Sequence, residues 1–271
     1  MFYAGDAGWL ARSACADGWR KVASANWLAT AQWVATRVPD ALLVDIGSKT
    51  TDIIPIVGSR VAARGANDAE RLMSGELVYQ GVVRTPLCGV AHRIAFRGET
   101  NEWFATTADV YRLTGELRPE HDQHPSADNG PKTEAASRAR IARMIGRDAA
   151  DASDAEWRSF AQGWRHEQLR TLEANLARVI AGDAALAVAP IVGAGCGRFL
   201  AAALARQAAR SYIDFARLAG VADDDATRAE WISTCAPSVA VALLASMAAS
   251  GAKGAAGDEG HPSNDASPRA A

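Results

Sequence analysis

The chain has 271 residues, 49% of them apolar, with 29 Lys plus Arg against 31 Asp plus Glu and a formal net charge of -2. That length and apolar share can bury a substantial core in one α/β domain or two small lobes, and the balanced charge gives no case for nucleic acid or an anionic membrane as the main partner. No apolar run reaches membrane-spanning length and the amino terminus lacks the order of a signal peptide, so a cytoplasmic protein without nucleic-acid or membrane partners is expected, with a homo-oligomer left open.

MFYAGDAGWL reads as a short strand and a glycine turn, and Ala16 to Arg37 as one helix with Val22, Trp27, Leu28, Trp33 and Val34 at roughly helical spacing. Trp27 and Trp33 suit core or inter-lobe packing better than a ligand-stacking platform. In ALLVDIGSKTTDIIPI, Ala41 to Ile56, the residues Leu42, Leu43, Val44 and Ile46 form one buried strand and Ile53, Ile54 and Ile56 the return. Between them lie Asp45, Gly47, Ser48, Thr50, Thr51 and Asp52. A glycine lets the backbone approach a ligand, hydroxyls and successive N–H groups donate to phosphate oxygens, and the acids can hold a divalent metal through water. A polar hairpin of chance composition is the competing explanation. A third strand is expected over Arg60 to Ala63 after the turn Val57-Gly58-Ser59.

Asp68 to Pro86 mixes a helical start, DAERLMSGELV, with a strand-like Val82-Val83-Arg84-Thr85 that stops at Pro86. Arg71 and Arg84 are the cations best placed to meet a phosphate, and Glu70 and Glu76 the acids available to a metal or as a base. Ion pairs on a solvated helix account equally for all but Arg84, whose guanidinium inside an apolar strand requires a partner such as a bidentate oxyanion. Thr106, Thr107 and Asp109 open TTADVYRLTGEL, where capping is the simpler role and facing a cleft the other. RPEHDQHPSADNGPK carries His121, Asp122, His124 and Asp128; histidines three apart in a loop lack preformed helical metal geometry, and a lid over a substrate fits such a loop better.

Thr133 to Ile180 is helical in pattern, with Ser153 and Glu156 as a capping box and Trp157, Phe160, Trp164 and Leu169 as a core stripe; His166 reads as a surface or packing residue. ALAVAPIVGAGCG, Ala185 to Gly197, is an apolar strand entering a glycine-rich turn, followed by a helix to Arg210. Gly193, Gly195 and Gly197 place N–H groups and a helix amino terminus where an anion or a nucleotide could sit, or else simply permit a tight strand-to-helix turn. A dinucleotide fold would want these glycines near the start of the chain. A last helix, Ala236 to Ser250, precedes a small, polar, disordered tail over 251–271. Cys15, Cys88, Cys196 and Cys235 form no C-x-x-C pair and read as buried free thiols.

The Asp45 to Asp52 turn resembles the second phosphate motif, D-x-G-x-x-T-x-D, of the acetate and sugar kinase, Hsp70 and actin superfamily. With VASANWLATA, ERLMSGELVYQGVVRTP, FATTADVYRLTGEL, DQHPSAD and SRARIARMIGRD, it is similar to the hydantoinase and oxoprolinase relatives linked to tetrahydromethanopterin-dependent one-carbon metabolism. The resemblance runs from about Phe2 to about Gln207. It implies an α/β, ribonuclease-H-like fold: residues 1–40 as the remnant of a first lobe, 41–250 as the second with a helical insert near 134–180. It also implies a cytoplasmic transferase of methanofuran-type biosynthesis, joining a furan diphosphate to the phenol oxygen of a tyramine derivative with release of pyrophosphate.

In that reaction Asp45 and Asp52 are expected to hold Mg²⁺, Gly47, Ser48, Thr50 and Thr51 to bind phosphate, Arg84 to offset charge, and Glu76 or Asp109 to act as base. Gly193, Gly195 and Gly197 correspond to the superfamily's adenosine motif, which keeps ATP-dependent amide or lactam hydrolysis as an alternative. Relatives open with an earlier phosphate loop, D-I-G-G-A-N-x-K, that has no counterpart before Asp45. The expectation is therefore a chain that begins partway through its first lobe, and a non-catalytic or truncated binding subunit is the third alternative.

Overall fold

The computed structural model describes residues 1–256 apart from Ser24, His92, 95–97, 100–101 and Asp223. In chain order the elements are β1 (Phe2–Tyr3), β2 (Trp9–Leu10), α1 (Trp19–Ala23), α2 (Asn26–Ala35), β3 (Ala41–Ile46), β4 (Thr51–Val57) and β5 (Arg60–Val61). Then come α3 (Asp68–Ser74), β6 (Leu77–Val78), β7 (Arg93–Ile94), β8 (Gly98–Glu99), α4 (Thr107–Leu113), α5 (Glu134–Arg143) and α6 (Asp154–Ile180). The chain closes with β9 (Ile191–Ala194), α7 (Arg198–Gln207), β10 (Tyr212–Asp214), α8 (Phe215–Leu218), α9 (Ala226–Thr234) and α10 (Ala236–Ala256).

The main sheet runs β10-β9-β3-β4-β5, with β6 also on β4. β3, β4 and β5 form an antiparallel meander, whereas β9 and β10 run parallel to β3. The mixed sheet is buried on both faces, which is why β3 and β4 read as continuous apolar runs. Leu42, Val44, Ile46, Ile53 and Ile191 pack with Tyr111, Ile141, Trp157, Trp164 and Leu200 from α4 to α7. On the opposite face Ala41, Leu43, Ile54, Ile56 and Val192 meet Trp33 and Val34 of α2, Phe215 of α8 and Ala236 and Ala240 of α10. The chain is thus a mixed α/β protein with helices on both faces of one mixed sheet.

Local signals account for the long helices. Ser153 and Glu156 make the reciprocal capping box of α6, and Thr106 with Asp109 makes that of α4. Trp157, Phe160 and Trp164 follow one another edge to face, with ring centroids 6.0 and 6.2 Å apart, and His166 is exposed.

The helix expected over Ala16 to Arg37 is two helices, and the periodicity of Trp27, Leu28, Trp33 and Val34 belongs to α2 alone. Val82 to Thr85 is no strand: the amides of Val82, Val83 and Arg84 donate to the carbonyls of Gly47 and Ser48 instead of to a ladder. Only Ile191 to Ala194 of the expected Ala185 strand is extended, since Ala184 to Ala187 forms a 3-10 turn. The four cysteines are free, as expected, but not all are buried: Cys235 is exposed, and Cys15, Cys88 and Cys196 are half-buried. Helix α10 continues past Ser250 to Ala256, and the rest of the expected tail lies outside the described residues.

Among the described residues no single helix is long and apolar enough to cross a membrane; α9 and α10 together reach that length and composition but are bent by 92°.

Candidate functional site

β3 and β4 converge at their shared end on a short loop, closed by the Gly47 N–H donating to the Thr50 carbonyl at 2.9 Å. The loop is seated from below by Gln80 to Arg84. A Cβ at Gly81 would fall 2.5 Å from the Gly47 carbonyl oxygen, so only glycine lets these backbones touch. With the Gly47, Ser48 and Thr50 carbonyls occupied, the loop's outward side presents the Ser48 and Thr50 hydroxyls, which have no protein hydrogen-bond partner among the described residues.

Asp45 and Asp52 face each other across the β3–β4 ladder, on the side of the sheet covered by α2 and α10. Asp45 is 8% exposed, and no protein group donates a hydrogen bond to its carboxyl among the described residues. Burial, reinforced by the adjacent Asp52, pushes the Asp45 carboxyl up to about 8. Burial raises Asp52 as well, opposed by Arg71, whose Nη2 lies 2.5 Å from Asp52 Oδ1. Arg71 is 2% exposed and lies over the ring of Trp27, 4.0 Å from its centroid. The expected packing role of Trp27 is therefore to hold this guanidinium.

Arg71→Leu is expected to cost about 2–4 kcal/mol in urea denaturation, below the fully buried limit because the Asp52 side chain keeps 19% exposure. Asp52→Asn in the same chain should recover part of that loss. Strictly additive losses would show the pair to be uncoupled.

A cavity of about 370 Å³ opens beside this pair, at the carboxyl ends of the parallel strands β3 and β9. Its walls come from distant parts of the chain: the hairpin loop with Asp45, Gly47, Ser48, Thr50 and Asp52, the turn at Gly195 and Cys196, and Glu120, His121, Gln123 and His124. Trp231, Thr234, Cys235 and Pro237 at the α9–α10 junction and Asn26 of α2 complete it. The loop carrying His121 and His124 is tied down by ion pairs. Asp122 pairs with Arg112, Lys132 Nζ donates to the Asp122 carbonyl at 2.6 Å, and Arg140 holds Asp128 at 3.1 Å. The loop expected to act as a lid lines one wall of the cavity.

The cavity gathers Asp45, Asp52, Gly47, Ser48, Thr50 and Gly195 of the expected site residues and leaves out the others. Thr51 points to the opposite face of the sheet, where its hydroxyl donates to the Gln80 carbonyl at 2.7 Å. Arg84 is exposed in a turn, so the buried strand cation expected there does not exist. Glu76 is fully buried and accepts from the N–H groups of Arg64 and Gly65 at 2.7 and 3.0 Å, clamping that loop. Asp109 caps α4 and binds Ser137 and Arg140 at 2.7 and 2.9 Å. With their oxygens so engaged, neither Glu76 nor Asp109 is placed to act as a base in this cavity.

The glycine turn is a packing device more than an anion cradle. The Gly195 N–H donates to Ser233 O at 2.7 Å and the Gly197 N–H to Ile46 O at 2.8 Å, so both donors are spent. Gly193 makes room for the Tyr212 ring, and Gly197 for Ile46 and Val82.

Among the described residues no group of three or more His, Cys, Asp or Glu could hold a metal by itself. A pair of carboxylates does suit Mg²⁺, which takes one or two of them and completes its shell with water and substrate phosphates. The fit is electrostatic, since Asp45 and Asp52 cannot both ionise cheaply in this position without a cation. Glu120, Trp231 and Thr234 were missed from the sequence. Their signal was a polar, proline-containing loop and a helix bearing one tryptophan, and nothing in one sequence brings the two together.

The profile of a family described as Hydantoinase/oxoprolinase matches residues 1–242. Two curated proteins, from Methanocaldococcus jannaschii and Methanococcus vannielii, are both named (4-{4-[2-(gamma-L-glutamylamino)ethyl]phenoxymethyl}furan-2-yl)methanamine synthase. Each is 36% identical to this chain, over 160 and 110 residues, covering 57% and 39% of the chain and 48% and 49% of the relative. The chain thus spans about half the length of the curated relatives it matches.

Proposed function

The chain belongs to the hydantoinase/oxoprolinase family, and from that membership we propose that it is a transferase of methanofuran-type biosynthesis. It couples an aminomethylfuran diphosphate to the phenol oxygen of a tyramine derivative and releases pyrophosphate. The names of both relatives describe a phenoxymethyl ether on a furan, which supports the reading. So does the strand order β5-β4-β3-β9-β10, an antiparallel meander extended by two parallel strands as in a ribonuclease-H-like lobe of the kinase, Hsp70 and actin superfamily.

The observation that carries the proposal is the cavity in which two facing carboxylates and two free hydroxyls meet a histidine-bearing lid. A furan ring stabilises positive charge on its methylene carbon, so the chain's main task is to accept the charge that develops on the departing diphosphate. The Ser48 and Thr50 hydroxyls donate to phosphate oxygens, and Asp45 and Asp52 would hold Mg²⁺. When bound, the cation offsets the negative charge of the diphosphate. No covalent nucleophile is required. The Cys196 thiol, pushed up to about 12 by burial and by Asp45, stays protonated beside the site.

The test is mass spectrometry after incubating the purified chain with the furan diphosphate, tyramine or glutamyl-tyramine, and Mg²⁺. The ether is the expected product; a folded sample that forms none would overturn the proposal. ATP turnover with amide or lactam hydrolysis in its place would support the other activity, which no feature of the glycine turn favours.

A further inference from the structure

We infer that His121, oriented by Glu230, is the general base that removes the phenol proton during ether formation; this inference rests on the transferase reading above. A phenol with a pKa near 10 needs a base at neutral pH, and Glu76 and Asp109 are bound up elsewhere. His121 and His124 both line the cavity, and His121 is the one packed edge to face on Trp231, with centroids 5.5 Å apart. Its side chain is 3% exposed, with Nε2 3.4 Å from Glu230 Oε1 and 3.3 Å from Thr234 Oγ1.

Glu230 is built to orient an imidazole. The Arg198 guanidinium grips it bidentately, at 2.9 Å to Oε1 and 2.7 Å to Oε2, while also reaching Asp214 at 2.9 Å. Burial opposes ionisation of Glu230, but the Arg198 bonds outweigh it and hold the carboxyl below its ordinary range. The Glu230 carboxylate, in charge contact 3.4 Å from Nε2, favours a proton on that nitrogen, and in the proposed step Nδ1 is the acceptor.

The charged groups around His121 are Glu230 on α9, Arg198 on α7, and Arg118 and Glu120 on its own loop, with Asp45 and Asp52 across the cavity. Burial first, then the two arginines, outweigh the glutamates and keep the imidazole below its usual value, neutral and ready to accept.

In the step, the phenol O–H bond breaks and its proton goes to Nδ1 as the oxygen bonds to the furan methylene carbon. The carbon–oxygen bond to the diphosphate breaks, and its electron pair leaves with pyrophosphate. The imidazolium formed is stabilised by Glu230, and its proton passes to solvent on release. His121 is thus the catalytic residue, and Glu230 a positioning residue.

The experiment compares the full chain with His121→Gln on tyramine and on ring-nitrated tyramine, whose phenol ionises near neutral pH unaided. The variant should lose about 10²–10⁴-fold in kcat on tyramine with KM little changed, and less than about tenfold on the nitrated acceptor. At saturating Mg²⁺, which keeps Asp45 ionised, the wild-type profile on tyramine should rise through a limb below the ordinary histidine value to a plateau, and in the variant that plateau should give way to a rise toward the phenol's own ionisation. Equal losses on both acceptors, or a variant that keeps the wild-type limb and plateau, would overturn the assignment and leave His121 a latch between its loop and α9. Should the variant fail to fold, the wild type decides: no such limb on tyramine overturns the base, and a limb that moves to the acceptor's own ionisation near neutral pH on the nitrated acceptor upholds it. A wild type that makes no ether brings down the transferase reading and this inference with it; ether formation unaffected by His121→Gln brings down the inference alone.

Discussion

Asp45→Asn is expected to lower ether formation by about 10²–10³-fold while making the ligand-free protein more stable at alkaline pH. Both effects come from the same burial. In the folded chain the carboxyl titrates at about 8, far above the value of a carboxylate in an unfolded chain. Between about pH 4 and about pH 8 the unfolded chain therefore gives up a proton that the folded chain keeps. The Asp45 contribution is fully present below that window and is lost as pH rises through it.

Asparagine has the same shape and no charge to bury, so the variant lacks this decline. Its advantage should be absent near pH 4 and reach about 1–3 kcal/mol above pH 8, after discounting for relaxation around the ionised group. Urea unfolding at the two ends of the window reads it directly. A stability difference that does not change with pH would mean that Asp45 is already ionised in the folded protein. Mg²⁺ should stabilise the wild type more than Asp45→Asn, because only the wild type has two carboxylates to bring together around a cation.

Gly195→Ala is expected to cost about 3–5 kcal/mol. Gly195 has φ +81, a left-handed conformation that strains alanine before any contact is considered. Its added methyl would also fall 2.6 Å from Asp45 Oδ1 and closer still to the Ile46 carbonyl oxygen. The obstruction is backbone of β3 and cannot be relieved by turning a side chain. The strand would have to move, taking Asp45 out of register with Asp52, so loss of the Mg²⁺-dependent stabilisation should accompany the fall in thermal midpoint. Gly193→Ala is the control, since what it meets is the Tyr212 ring, the mobile end of a side chain. Equal losses for the two variants would remove the special role of the Gly195 turn.

The hairpin, the capping boxes and the tryptophan stripe were legible because each is local. An unbroken apolar run predicts a strand buried on both faces, and Ser153 with Glu156 marks a helix start within one turn. Asp45, Gly47, Ser48, Thr50 and Asp52 share a site for the same reason, being neighbours across a single hairpin. Arg84, Thr51 and Glu76 depart from their expected roles, while Asp109 takes its simpler expected role of a cap and not that of a base, because side-chain direction in a turn or strand, and the partner that uses up a carboxylate, are set by contacts with distant segments. Asp109 meets Arg140 from α5, and Thr51 meets Gln80 beyond β6.

The family, the apolar strands and the two facing acids are readable from residue type and short spacing. What stands opposite them is set by long-range packing. His121 from the lid, Glu230 and Trp231 from α9 and the spent donors of the glycine turn are brought together by burial of both faces of one sheet, and that burial acts between residues far apart in the chain.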